Sequence, residues 1–247
     1  MDIDLTGRVA LITGGGAGIG RACALTLANA GATVCIVDIN MDNAQQTVEQ
    51  MGSGMAVYCD LGDPAAIKAM RDHVLSKLGT VHIVMNNAGM ISYRKGVGAV
   101  TSAEWDKLMD VNLRGPFLVT QAFMESMKKN GWGRIINSSS LAARVGGIEA
   151  GIHYSTSKAG LVGLTRTLAK EGAPFGINVT AIAPGIIGTE PVLRQLGDHR
   201  QEYETSIPLG RLGNPQDVAN VVLFLASPLS DYVTGIVVDI NGGLYMG

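Results

Sequence analysis

Short runs of apolar, β-branched residues alternate along this chain with longer stretches whose apolar positions recur at helical spacing. Residues 8–13, 33–38, 55–59, 82–86, 134–138, 178–183 and 236–240 predict seven strands. All seven are apolar on both faces, the pattern of parallel strands covered by helices on each side. The intervening stretches carry helix starts. Asp63-Pro64 sets a cap before a first-turn proline, Thr101 and Glu104 have capping-box spacing ahead of a long helix through Lys129, and Asn214-Pro215 precedes a helix over 216–226. Pro116, inside the helical run 102–129, predicts a bend just before Phe117, eased by Gly115. Strand–helix alternation with crossovers of this length predicts an α/β fold, a doubly wound parallel sheet of about seven strands with helices on both faces. Such sheets bind ligands beyond the carboxyl ends of their strands, where the strand order reverses.

The 247 residues are 47% hydrophobic and hold no linker-like tract or fixed-period repeat, so one domain over 1–247 is expected. Lys and Arg are scattered and the formal net charge is −2, which leaves no basic face for nucleic acid or an anionic membrane. The start, Met1-Asp2-Ile3-Asp4, lacks the basic and apolar regions of a signal peptide, and the apolar runs are too short to span a bilayer. Cys23, Cys35 and Cys59 are odd in number and lack metal-ligand spacing; they predict buried thiols in a reducing cytoplasm and no metal site.

Candidate chemistry begins after the first strand, at Thr13-Gly14-Gly15-Gly16-Ala17-Gly18-Ile19-Gly20, which leads into a helix over 21–30. Glycines there let the backbone turn sharply and approach a pyrophosphate, for which the helix start supplies free N–H groups. Neither the strict dinucleotide spacing nor a P-loop is present. Twenty residues after Gly18 the second strand ends in Asp38. A carboxylate there accepts hydrogen bonds from both ribose hydroxyls of adenosine and repels a 2′-phosphate, which points to NAD rather than NADP. No Arg or Lys stands at Ala17 or directly after Asp38 to welcome that phosphate. The other role open to Asp38 is capping the next helix, although Asn40 and Asp42 are also placed for it. Tyr154 and Lys158, four apart in a predicted helix over 153–169, lie on one helix face.

Asp60-Leu61, Asn86-Asn87-Ala88-Gly89, Tyr154-Ser155-Thr156-Ser157-Lys158 and Thr13-x-x-x-Gly18-x-Gly20 together resemble the short-chain dehydrogenase/reductase family. The likeness runs the length of the chain, through Pro184-Gly185-Ile186-Ile187-Gly188-Thr189 to Asp239-Ile240-Asn241-Gly242-Gly243. It implies a Rossmann-type fold and a homotetramer built on the two long helices and the C-terminal region. It also implies that Asp60 and Leu61 flank the adenine, that Asn87, Ala88 and Gly89 line the ribose and pyrophosphate side, and that Ile187 and Thr189, after Pro184 and Gly185, hold the nicotinamide end. Tyr154 is then the general acid/base, with its phenol lowered from near 10 by the Lys158 ammonium and by the positive nicotinamide.

The family's serine aligns with Ser140, although the spacing to Tyr154 is one residue longer than usual, placed in the loop 146–152, and leaves Ser139 a contender. Asn112 matches the asparagine of the family's tetrad, whose amide and kinked backbone hold a water linking Lys158 to solvent. The implied reaction interconverts a secondary alcohol and a ketone, with a polyol, a sugar derivative or a hydroxy acid as substrate. Segments 90–98, 141–152 and 190–212 are expected to line the substrate, the last as a lid. Arg94, Lys95, Arg144 and Arg194 either read an anionic or polyhydroxylated substrate or are solvated surface charges. The nearest rival is a β-ketoacyl thioester reductase, a subfamily that usually favours NADPH and carries basic residues near the glycine turn. A non-catalytic NAD(H)-binding regulator would lack Tyr154 or Lys158, and a nucleotide-sugar enzyme would need an added domain.

Overall fold

The computed structural model describes residues 3–147 and 149–247. Met1 and Asp2 of the acidic start and Ile148 of the loop 146–152 lie outside the described residues. Seven strands form one parallel sheet: β1 Val9–Thr13, β2 Thr33–Asp38, β3 Met55–Tyr58, β4 Ile83–Asn86, β5 Gly133–Ser138, β6 Ile177–Pro184 and β7 Val237–Ile240. Their order is β3-β2-β1-β4-β5-β6-β7, so the sequence order reverses between β1 and β4, where Thr13 pairs with Asn86. Each strand lies within a residue of its sequence-predicted bounds. The α/β doubly wound architecture follows.

The helices are α1 Gly18–Asn29, α2 Met41–Met51, α3 Pro64–Leu78, α4 Ser102–Met109, α5 Gly115–Asn130, α6 Ala142–Val145, α7 Ile152–Gly172, α8 Glu190–Leu196, α9 Arg200–Ser206 and α10 Pro215–Ala226. Caps fix their starts. Asp63 accepts from the Ala65 N–H, while Thr101 with Glu104 and Asn214 with Asp217 form capping boxes. Two apolar layers result. Cys23, Leu27, Val218 and Val222 of α1 and α10 pack on one sheet face with Ile12 and Ile36. Ile67, Phe123 and Leu168 of α3, α5 and α7 pack on the other with Leu11, Val84 and Ile135.

The helical run 102–129 is not one helix. A π-turn at Asp110–Arg114 separates α4 from α5, and the Gly115 N–H closes on the Asp110 carbonyl five residues back. The deformation therefore sits one turn earlier than the bend expected before Phe117. Proline disturbs the turn that precedes it: Pro116 has no N–H to give the Asn112 carbonyl, and its ring crowds that oxygen.

The three cysteines are free and buried. Burial pushes their thiols up, to about 12 for Cys23 and Cys35 and about 11 for Cys59. No helix among the described residues is long and apolar enough to cross a membrane.

Ile135 is fully buried in the central strand β5. Ile135→Ala is expected to lower unfolding free energy by about 2–5 kcal/mol, read by urea denaturation.

Candidate active site

The glycine turn is fastened to the end of β4. Thr13 Oγ1 accepts from the N–H groups of Asn87 (3.0 Å) and Ala88 (3.1 Å), and Asn87 Nδ2 donates to the carbonyls of Thr13 and Gly14, each at 3.1 Å. No side chain would fit at Gly14 or Gly20. A Cβ on Gly20 would stand 2.1 Å from the Gly14 carbonyl oxygen, and one on Gly14 would stand 2.8 Å from Ala88 Cα. Gly18 takes φ +52 and faces Thr189. Helix α1 opens behind Ala17 with no side-chain cap and no acidic residue in its first turn. Its leading N–H groups, those of Gly18, Ile19 and Gly20 among them, are thus left for an anion. That cradle fits a dinucleotide pyrophosphate.

Asp38 borders the same turn. Its Oδ2 accepts from the Gly16 N–H (2.9 Å) and its Oδ1 from the Asn40 N–H (3.0 Å). Asn40, not Asp38, caps α2, accepting from the Asn43 N–H. The capping role left open for Asp38 is therefore taken. Asp38, Asp60, Leu61, Ala88 and Gly89 line one cavity of about 490 Å³. Asp60 Oδ1 also holds the Gly62 N–H at 2.8 Å. A cation does approach: Arg21 reaches up from α1, its Nε and Nη2 donating to the Gly16 carbonyl and its Nε also to Thr47 Oγ1, while no hydrogen bond is made by its Nη1.

At the carboxyl ends of β5 and β6, a second cavity of about 190 Å³ gathers Ile19, Ser140, Tyr154, Lys158, Ile187 and Thr189, with Pro184 and Gly185 in its wall. The three serines of 138–140 have separate tasks. The Ser138 carbonyl accepts from Lys158 Nζ (2.7 Å), and Ser139 Oγ donates to the Lys158 carbonyl (2.7 Å). Ser140 Oγ accepts from the Ala142 N–H (3.1 Å) and shares the cavity wall with the Tyr154 phenol. Ser139 is therefore committed to α7, and Ser140 is the serine that faces the phenol.

Lys158 Nζ lies 5.7 Å from the Tyr154 ring centroid. Burial brings this amine down to about 8. Burial pushes the Tyr154 phenol up, and the Ser140 hydroxyl draws it part of the way back. Contrary to expectation, Lys158 is not among the groups that lower Tyr154, and the lysine is itself drawn toward its neutral form by its removal from water.

Asn112 sits fully buried in the π-turn. Its Oδ1 accepts from the Met90 N–H (2.7 Å), and its Nδ2 donates to the Met90 carbonyl (2.9 Å) and to Ser157 Oγ (3.3 Å). The side chain thus ties the loop after β4 to α7 rather than facing water. The group in this turn that Pro116 leaves without its helical donor is the Asn112 main-chain carbonyl.

A third cavity, about 450 Å³, opens beside Ser140 and Tyr154 and is walled by apolar side chains such as Ile91, Leu141, Val145, Ile186 and Leu196. None of the four basic residues considered for substrate contact lines it. Lys95 pairs with Glu104 (2.5 Å), Arg144 with Asp239 (2.9 Å) and Arg194 with Glu190 (3.5 Å), while Arg94 is exposed. His153 is buried against Trp105.

A family profile described as enoyl-(acyl carrier protein) reductase matches residues 14–245. A short-chain type dehydrogenase/reductase from Mycobacterium marinum superposes at TM-score 0.92, with 36% identity over 99% of this chain and 98% of its own. The chain belongs to the short-chain dehydrogenase/reductase family. The 3-oxoacyl-acyl-carrier-protein reductase FabG of Aquifex aeolicus is 40% identical over 99% of this chain and all of its own. The (3R)-3-hydroxyacyl-CoA dehydrogenase of Homo sapiens is 37% identical over 98% and 97% respectively. As a short-chain dehydrogenase/reductase, the chain is an oxidoreductase.

Several contacts of this site are not legible from the motifs, even where the residue falls inside one. The bond of Ser157 to Asn112 is such a contact. Another is a polar chain through the core, in which Asn86 Nδ2 donates to Thr120 Oγ1 (3.1 Å) and Asn137 Oδ1 (2.9 Å), and Asn137 Nδ2 donates to Thr165 Oγ1 (2.9 Å). Each is a polar residue at an apolar position, which only its spatial partners explain.

An amine near 10.5 in the unfolded chain and about 8 in the fold releases its proton earlier when folded. Between those values the unfolded state binds more protons, so stability at this position is lowest below pH 8 and recovers as pH rises toward 10.5. Comparison of wild type with Lys158→Met by chemical denaturation should show the wild type gaining about 3 kcal/mol on the variant across that range. A pH-independent difference would refute the burial account.

Proposed function

We propose that this protein is an NAD-dependent dehydrogenase/reductase that interconverts a secondary alcohol and its ketone, with Tyr154 as general acid/base. The observation that carries the reading is the meeting of Ser140, Tyr154 and Lys158 in one cavity that also reaches Ile19 at the start of α1. When bound there, a nicotinamide dinucleotide supplies the hydride acceptor or donor. Ser140 and the Tyr154 hydroxyl hold the substrate oxygen. Tyr154 takes the hydroxyl proton during oxidation and returns it during reduction. Lys158, poised near neutrality, exchanges that proton and holds the nicotinamide ribose; Asn112 keeps the Met90 loop and α7 in register and leaves a main-chain carbonyl for the water that links Lys158 to solvent. Ile187 and Thr189 hold the nicotinamide end, Asp60 and Leu61 the adenine.

Asp38 supports NAD over NADP, because its carboxylate, held beside the glycine turn by the Gly16 N–H, opposes a 2′-phosphate. A regulator without turnover would not need the Ser140–Tyr154–Lys158 arrangement. The apolar substrate cavity favours a neutral alcohol or ketone over a polyol, a sugar derivative or a hydroxy acid. A second reading, a 3-oxoacyl thioester reductase, draws support from the names of the relatives. The large apolar side chains Phe117, Phe224 and Met246 stay exposed, which supports a homotetramer through α5, α10 and the C-terminal residues.

Tyr154→Phe should lower turnover by about 10²–10⁴-fold while NADH affinity stays within about threefold. Near-normal turnover of that variant, followed at 340 nm, would remove the assignment. Asp38→Asn should lower the NADH-to-NADPH ratio of kcat/KM by at least about tenfold. Acetoacetyl-CoA turned over faster than any simple ketone would establish the second reading. A monomeric mass by light scattering at micromolar concentration would overturn the tetramer.

A further inference from the structure

One side of the substrate cavity is acidic, where Glu149 lines it. A neighbouring cavity of about 550 Å³ shares Glu149, Gln195, Leu196, Tyr203 and Ser206 with it and adds His199 and Glu202. The two spaces adjoin along these shared side chains, Glu149 and Tyr203 among them.

Glu149 is held there from three sides. Its carbonyl accepts from the Arg94 N–H (2.8 Å), the Gly151 N–H donates to the Ser92 carbonyl (2.9 Å), and Ala150 bridges to Tyr93. The loops 90–94 and 149–151 are thereby clasped as a short antiparallel pair. From α9, Tyr203 stands beside the Glu149 carboxylate, and burial together with that carboxylate pushes its phenol up. Glu202 stands one residue before it and pairs only with His199 (3.1 Å), which is charged only when protonated. The surrounding cations are engaged elsewhere: Arg200 with Glu204, Arg194 with Glu190, Lys95 with Glu104 and Arg144 with Asp239. Arg94 lines neither cavity.

We propose that Glu149 and Glu202, gathered with Tyr203 on this side of the substrate cavity, form an acidic vestibule that excludes anionic substrates and admits neutral or amine-bearing ketones and secondary alcohols. A single like charge about one water away in a hydrated space weakens binding by roughly fivefold, and two carboxylates act together. Behind them an apolar wall offers an anion no compensating cation. An acyl group carried on a phosphate-bearing or acidic carrier meets the same repulsion, so the vestibule also weighs against the thioester reading. The inference rests on the secondary-alcohol reading for its reaction but on the rim carboxylates for its selectivity.

Three probes of one shape test it: acetophenone, 4-acetylbenzoate and 4-(aminomethyl)acetophenone, titrated calorimetrically into NADH-saturated protein at low salt. The carboxylate is expected to bind at least about tenfold more weakly than acetophenone, and the amine at least as tightly. In the Glu149→Gln/Glu202→Gln double variant the three should fall within about threefold of one another, while acetophenone itself moves by less than about twofold and so reports an intact cavity. Added salt, about 0.5 M, should narrow the wild-type spread. Equal affinities in the wild type, a spread unchanged in the variant, or no binding by any of the three would overturn the proposal. Oxidation of NADH in the same mixtures judges the reaction separately: discrimination without turnover keeps the vestibule and removes the assigned chemistry, and turnover without discrimination does the reverse.

Discussion

The site depends on an ammonium group taken out of water. Lys158 is 5% exposed, and its Nζ hydrogen bond runs to a main-chain carbonyl, that of Ser138. Such a group is costly to bury unless it is held and hydrogen-bonded. The residues around it do that work: β5 presents the Ser138 carbonyl, Ser139 pins the lysine's own main chain, and the turn of α7 between 154 and 158 sets the phenol above it. The outcome is an amine near 8, close to the range where proton exchange with solvent is easy in both directions. The stability given up by this burial buys reactivity, a common arrangement at functional sites.

Holding that lysine in place demands rigidity from elements that share no sequence neighbourhood. The broken helix supplies part of it. Pro116 forces the π-turn, the turn places Asn112 against Met90 and Ser157, and those bonds join the loop after β4 to the helix that bears Tyr154 and Lys158. The buried line from Thr120 through Asn86 and Asn137 to Thr165 does the same one layer deeper, linking α5 to α7 across two strands. Directional hydrogen bonds in a core fix one arrangement among many that apolar packing would tolerate. The substrate side is built differently, from short helices and loops around a small apolar cluster of Leu196, Ile207 and Leu212.

The amino-acid pattern alone determined the seven strands, the doubly wound order of events and the places where chemistry gathers. Strand runs apolar on both faces and proline- or asparagine-marked helix starts are local signals, and the structure follows them within a residue or so. Glycine at 14, 18 and 20 and the Tyr154–Lys158 spacing are equally local, since each is dictated by what a turn or one helix face allows. What only tertiary structure decided are the choices between equivalent neighbours and the electrostatic balance. Ser139 and Ser140 look alike in sequence; one is consumed by α7 and the other faces the phenol. Asp38 and Asn40 were both fit to cap α2, and the backbone gave that task to Asn40. Whether Lys158 lowers Tyr154 or is itself lowered depends on how much water reaches each group, and solvent access is a property of the assembled layers rather than of any segment.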